Sequence, residues 1–480
     1  MKSSPNNKNS RSLCLLVVIA VSAIHNAMAG TGNQPDFDQL NTRYNAISSE
    51  VYTQLAQSRS KTLPKSDTIQ QLEFHTRKYL DQGDTINALC LVIQNLKLVK
   101  DNLDDSSVLF FMSLLLDNNQ LDTATSLYDI AKKEGEKSLK SNISFLFAQY
   151  YFRENKWQES LKFVDDTYAD LPENQASHAR LITGVSLQHL KDHRKAISFY
   201  ERIPQTSEYY LYARLNIAVA YIRQGWWTDA QNTIHNALKP GASLSGTNND
   251  EIINRLYLVL GYSLLQKEYY RDAREAFRNI KTSSKYTNRA LLGIALASAN
   301  QDDLIGALNA LSALKNKETT DLSVDETYLL LPFIYNKLGQ ELTATTSYNE
   351  AIKYYQSRLE NLDKPAGKNT SVQSAIKQNL DEYELVINNN VFELNREMPA
   401  SFINNADRIS ALQKAGSNLT KPAALKSMSK LNALQTDYKS AYNTVKNRII
   451  SQRKDYLNSY LNQSRFGLAN LYDNSLSDSK

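Results

Sequence analysis

Cysteine, glycine and proline are all scarce in this chain: 2, 15 and 10 of 480 residues. Two cysteines exclude a small fold stapled by disulfides. Cys90 sits in the apolar run Ala88-Leu89-Cys90-Leu91-Val92 and reads as a small buried residue rather than a reactive thiol. So little glycine and proline excludes a β-rich fold with many tight turns and leans the chain toward helix. Beyond residue 29 no run approaches the roughly 20 apolar residues that span a bilayer, so no second membrane segment is expected. A large charge excess is also missing. The formal charge of +5 includes three basic residues and no acid in residues 1–29, and ten Lys and Arg against four Asp in residues 421–480. The remaining body is slightly acidic, which argues against a nucleic-acid binder, whose affinity rests on many cations facing phosphates. Gly-rich phosphate loops, metalloprotease helices and nucleophile-elbow pentapeptides do not occur, and the chain reads as a non-enzyme without cofactor or metal. His189 and His193 have a chelating i, i+4 spacing but fall at a helix end and in the following turn, and read as surface residues.

What is present is order at long range. Ala88, Ala124, Ser160, Ala196, Ala230, Ala273, Ala307 and Ala344 form a ladder whose rungs are 34 to 43 residues apart, with the first four evenly spaced by 36. Recurrence at this period marks a stacked repeat. Twelve positions before a rung stands a small residue (Ala148, Gly184, Ala218, Gly261, Ala295), and four after it a large one (Tyr128, Val164, Tyr200, Ile234, Phe277, Leu311, Tyr348). Two closely crossing helices need small side chains at the contact and a large one beside it. Each copy therefore reads as a helical hairpin.

These residues resemble the tetratricopeptide repeat family, with Gly225-Trp226-Trp227-Thr228-Asp229-Ala230 and Gly339-Gln340-Glu341-Leu342-Thr343-Ala344 matching its turn, and Gly83 likewise preceding Ala88. The resemblance covers roughly residues 70 to 360 and implies an all-α fold: an α-solenoid of about eight hairpins followed by long C-terminal helices. Ser160 and Pro332 depart from the pattern, several turns carry Asn, Asp or Lys for Gly, and Pro240 to Asp250 inserts a polar loop between two units.

The expected organisation has four parts. Residues 1–29 have the form of a cleavable signal peptide: basic start, apolar Leu13 to Ile24, then Ala27-Met28-Ala29. The alternative is a retained N-terminal anchor. Residues 30–68 hold an amphipathic helix (Phe37, Leu40, Tyr44, Ile47, Val51, Leu55), expected to pack on the array, and a linker. Residues 69–362 form the superhelix. Residues 363–480 form a long-helix region, with Val372 to Met398 reading as one helix and Ala423 to Tyr472 as one or two more, packed as a hairpin or coiled coil.

The resemblance implies a concave face lined by first helices, and places Phe145, Gln149, Arg153, Tyr212, Arg223, Tyr262, Phe333 and Lys337 there. Such a groove suits an amphipathic helix or an extended peptide. Phe145 and Gln149 do not match the Lys/Asn carboxylate clamp of the family's chaperone-binding subtype. The competing expectation is a groove filled by the protein's own terminal helices. The functional expectation is an exported scaffold in the periplasm of a Gram-negative bacterium, binding protein or peptide partners of an envelope assembly, secretion or transport system. The basic C-terminal helices are a candidate for peripheral membrane contact. The alternatives are a self-associating coiled-coil structural protein and, from another class, an α-helical polysaccharide-active enzyme.

Overall fold

Eight helical hairpins follow one another in the computed structural model, which describes residues 35–164, 170–239, 247–317, 321–364, 376–379, 382–387, 390–394 and 398–477. The segment expected to be a signal peptide, residues 1–29, lies outside the described residues. Helix α1 (Phe37–Ser58) precedes the array. The hairpins pair α2 (Ile69–Asp81) with α3 (Thr85–Gln94), and, after the short α4 (Leu96–Lys100), α5 (Ser107–Asp117) with α6 (Leu121–Glu134). Then come α7 (Lys137–Arg153) with α8 (Trp157–Lys162), α9 (Glu173–His189) with α10 (His193–Glu201), and α11 (Tyr210–Arg223) with α12 (Trp227–Ala237). The last three are α13 (Thr247–Gln266) with α14 (Tyr270–Arg278), α15 (Thr287–Asn300) with α16 (Leu304–Lys315), and α17 (Leu322–Lys337) with α18 (Glu341–Asp363). Of the expected Pro240–Asp250 loop, 240–246 lies outside the described residues and the rest is the first turn of α13.

Every rung of the ladder, from Ala88 to Ala344, has 0% exposure. The reason is steric. A Cβ added at Gly184 would stand 2.3 Å from the Tyr200 ring, and one at Gly261 2.5 Å from the Phe277 ring. Gly293, on the first helix of the next hairpin, closes on the other side of Phe277, at 2.4 Å for the same added atom. One aromatic ring is thus clasped between glycines of successive repeats, where helices approach too closely for any side chain. Ser160 is accepted as a rung because its hydroxyl donates to the Ala148 carbonyl at 2.9 Å, which satisfies the one polar atom it brings into the contact.

The turns obey a second rule. Gly83, Asn119, Asn155, Lys191, Gly225, Glu268, Asp302 and Gly339 each lie five positions before a rung, and each has a positive φ, between 57° and 76°. They are the complete set of such residues among those described. The backbone must enter the left-handed region there to reverse between helices, which costs a residue with a Cβ about 1–2 kcal/mol. Lys191→Gly and Glu268→Gly are therefore each expected to raise stability by about 0.5–1 kcal/mol, after glycine's larger loss of chain entropy. The midpoint of urea unfolding is the measurement; an unchanged or lower midpoint would show that the turn is not strained.

The region after the array differs from expectation. Val372 to Met398 is not a helix: its described residues form an antiparallel sheet, β1 (Ile376–Asn379), β2 (Glu382–Ile387) and β3 (Asn390–Leu394), in the order β1-β2-β3. Leu385 pairs with Phe392 and Ile387 with Asn390. The sequence contains the competing signal, β-branched Val386, Ile387 and Val391 around an Asn-Asn pair, which suits a two-residue hairpin connection. Leu385, Ile387 and Phe392 enter the main core, so burial of one sheet face decides between the two periods. Of the expected linker, Asp363 to Ser371, residues 365–371 lie outside the described residues.

Two helices complete the chain, α19 (Ala400–Gly416) and α20 (Pro422–Ser477). The long C-terminal stretch is a single helix of 56 residues, about 84 Å long at 1.5 Å per residue. Its first half lies on α1 and α19: Lys430 pairs with Glu50 at 2.8 Å, Arg43 with Asp437 at 2.8 Å, and Tyr438 stacks on Phe402 with ring centres 5.2 Å apart. Its second half lies on the last hairpin, where Arg453 pairs with Asp325 at 2.7 Å and Lys454 with Asp363. Gly467 meets the Tyr348 ring as Gly293 meets Phe277, with an added Cβ 2.5 Å away. The end of α20 therefore stands in for the first helix of a ninth repeat and caps the array. Of the apolar stripe Leu431, Leu434, Tyr438, Tyr442, Val445 and Ile449, a candidate self-association seam, all but the half-buried Tyr442 are buried within the chain. The basic side chains Lys430, Arg453 and Lys454 are spent on internal pairs. α1 packs against the second helices of the first two hairpins, so one core joins both ends of the array through α20.

The candidate concave cleft

At the second to fifth hairpins the first helices line a cleft of about 230 Å³. Four elements meet there. Leu109 comes from α5, Phe145 and Gln149 from α7, His178 from α9, and Tyr209 from the N-cap of α11. None of the lining residues belongs to α1, α19 or α20, so the terminal helices leave this stretch open.

His178 organises the site. Its ring stacks on Tyr209 with centres 4.6 Å apart and planes 11° from parallel, and meets Phe145 edge to face at 5.6 Å. The Gln149 amide nitrogen lies 3.1 Å from His178 Nδ1. With the amide as donor, Nδ1 accepts and the ring proton sits on Nε2. Gln175 adds a buried amide oxygen without a hydrogen-bond partner. The lining thus offers planar donors and acceptors around an aromatic floor, with Glu208 its one charged side chain. That chemistry matches a peptide backbone with an apolar side chain, and gives no nucleophile, base pair or phosphate cradle.

The eight groove residues read from sequence separate on this geometry. Phe145 and Gln149 come together in the cleft, although Phe145 is only 5% exposed. Arg153 is ion-paired with Asp117 at 2.8 Å, away from the lining. Tyr212 is half-buried against the core of the fifth to eighth hairpins. Arg223 is exposed at the end of α11, where its charge helps to hold the His193 imidazole below its usual pKa, behind the larger effect of burial. Tyr262 is 6% exposed and donates its hydroxyl to the Arg289 carbonyl at 2.9 Å, so it joins two repeats rather than facing a partner. Phe333 and Lys337 sit together on the last hairpin, the ammonium 5.5 Å from the ring centre. His178 and Tyr209 were not legible as site residues, yet the ladder carried a signal for one: His178 lies one 36-residue period after Asn142, another residue of the lining.

Other sequence candidates have plain roles. His189 stacks flat on Trp157 at 4.1 Å, and no group of three His, Cys, Asp or Glu suited to a metal occurs among the described residues. Burial pushes the Cys90 thiol up to about 12, which leaves it unreactive at neutral pH.

No family model matches the chain, and no curated protein is significantly similar to it. Solved structures do align with it. The C-terminal part of a TPR repeat-containing protein from Cytophaga hutchinsonii is 16% identical over 51% of this chain and 94% of that one, with a TM-score of 0.42. The apo form of RapI is 12% identical over 79% and 99%, with a TM-score of 0.45. Pseudomonas aeruginosa pilF is 13% identical over 48% and 96%, with a TM-score of 0.34.

Proposed function

We infer that this chain, a tetratricopeptide-type α-solenoid by its eight small-residue hairpins, is a protein–protein interaction scaffold whose concave cleft holds an extended segment of a partner. The observation that carries this is the open cleft at the second to fifth hairpins, where the Gln175 amide oxygen has no hydrogen-bond partner and the Gln149–His178 pair lies beside aromatic rings. An extended peptide needs backbone partners at intervals and a pocket for alternate side chains, and successive first helices supply both. The leader-like residues 1–29 support an exported protein of a Gram-negative periplasm, serving an envelope assembly, secretion or transport system. No catalytic role is assigned.

The test is site-specific photo-crosslinking in cells, with a benzophenone amino acid at Gln149 of the full-length protein and, as control, at exposed Asp122 on α6. A discrete adduct is expected from Gln149 only, weakened by His178→Ala. The same adducts from both positions, or none from Gln149, would remove the cleft from the account.

A further inference from the structure

A second, larger cleft of about 1010 Å³ opens between the fifth and sixth hairpins, where the ladder spacing widens to 43 residues. Its walls are α12 and α14, and the side of α13 forms its floor. The floor is already covered: Leu260 and Leu264 are 3% and 7% exposed. The apolar surface left open is aromatic, with Trp226 40% and Tyr269 58% exposed.

These two aromatics occupy the same place in their hairpins, four residues before rungs Ala230 and Ala273. That place is the N-cap of the second helix. In three other hairpins it holds an aspartate, and Asp84, Asp192 and Asp303 each accept a hydrogen bond from a backbone N–H of the first turn. Gln120, Lys156 and Gln340 hold it elsewhere. Trp226 and Tyr269 make no cap hydrogen bond, so α12 and α14 go without a stabilising contact that other hairpins enjoy. Large aromatic side chains exposed at a position where they weaken the helix, on two adjacent repeats and beside a cleft of this size, point to selection for binding.

We propose that the cleft between the fifth and sixth hairpins binds a neutral oligosaccharide, with Trp226 and Tyr269 as stacking platforms for its sugar rings. A pyranose has an apolar C–H face and a rim of hydroxyls, so it calls for flat aromatic surface next to planar hydrogen-bonding groups. Asp229 and Asp272, on the first turns of α12 and α14, and Gln231 and Asn279 supply those groups. The ionisable side chains of the lining nearly balance, which disfavours a phosphorylated or polyanionic ligand. A cationic peptide is disfavoured because Lys267 already lies 4.8 Å from the centre of the Trp227 ring and Arg194 5.9 Å from that of Trp226. The covered floor offers no apolar stripe for a partner helix. The volume holds a short oligosaccharide.

The experiment is isothermal titration calorimetry on the full-length protein with chitotetraose, cellotetraose and maltotetraose, and with tetralysine as the cationic comparison. Saturable binding of at least one tetrasaccharide is expected. Trp226→Asp and Tyr269→Asp should each weaken it at least about tenfold, while melting at or above the wild-type temperature because the new carboxylate restores the cap. That combination separates lost binding from lost folding. No heat from any of the three saccharides, saccharide binding that both variants retain, or binding of tetralysine alone would overturn the proposal.

Discussion

Asp325→Ala costs about 3–5 kcal/mol of folding stability and loosens the second half of α20. Asp325 lies on the first helix of the last hairpin with 0% side-chain exposure, between Arg358 of α18 and Arg453 of α20, themselves 9% and 8% exposed. The carboxylate reaches Arg358 Nε at 3.3 Å and Arg453 at 2.7 Å, and accepts the Tyr354 hydroxyl at 2.7 Å. Removing it leaves two guanidinium groups buried without their counter-charge, which is worse than never having placed charges there. A variant that also carries Arg358→Met and Arg453→Met should recover most of the loss, because desolvation then has nothing to act on. Guanidinium-induced unfolding gives the energy, and amide exchange along residues 453–471 locates it. A loss below about 1 kcal/mol would mean the pair behaves as a surface bridge.

The neighbouring residue has the opposite environment and the opposite prediction. Glu326 is 2% exposed, its Oε1 has no hydrogen-bond partner, and burial pushes its carboxyl from 4.5 up to about 8. It is therefore protonated in the folded protein at neutral pH, whereas the unfolded chain releases the proton near 4.5. Its contribution is most favourable below pH 4.5, falls as pH rises toward 8, and is level above that. At 1.36 kcal/mol per unit the whole fall is up to about 5 kcal/mol. Glu326→Gln keeps the shape and removes the proton, so the variant should be more stable than wild type at pH 8 and similar at pH 4.5, with a flatter stability profile between. Glu154, whose carboxyl is also raised by burial, acts in the same direction near the other end of the array and leaves a residual slope in the variant. Parallel profiles for the two proteins would show that Glu326 is ionised inside the fold, with its charge met by rearrangement.

How legible these features were depends on how far apart their parts lie. The ladder could be read because each role inside a hairpin belongs to one residue type at a fixed offset, as with Gly184, Ala196 and Tyr200. The turn rule was readable only where it is filled by Gly83, Gly225 and Gly339. Lys191 and Glu268 meet the same backbone demand with strain, and strain has no letter. Val372 to Met398 supports both a helical and a strand period, and only packing of Leu385, Ile387 and Phe392 on the core decides. In the cleft, Phe145 and Gln149 follow from helix phase, but the role of His178 depends on a ring stack with Tyr209 from the next repeat. The attachment of α19 left no local signal at all. Its first turn is capped by Glu154, whose carboxylate accepts from the Ser401 backbone N–H at 2.9 Å across 247 residues of sequence.

That attachment bears on how the array moves. An open solenoid is a spring: each hairpin touches only its neighbours, and small rotations add along the stack into large changes of pitch. Here α20 ties the two ends together, as a chord ties an arc, through Lys430 and Glu50 at one end and Arg453 and Asp325 at the other. The stretching and unwinding motions that are softest in such arrays are the ones a chord removes. The radius of the inner wall, and so the width of the cleft around His178, is set in part by side chains on the far side of the molecule.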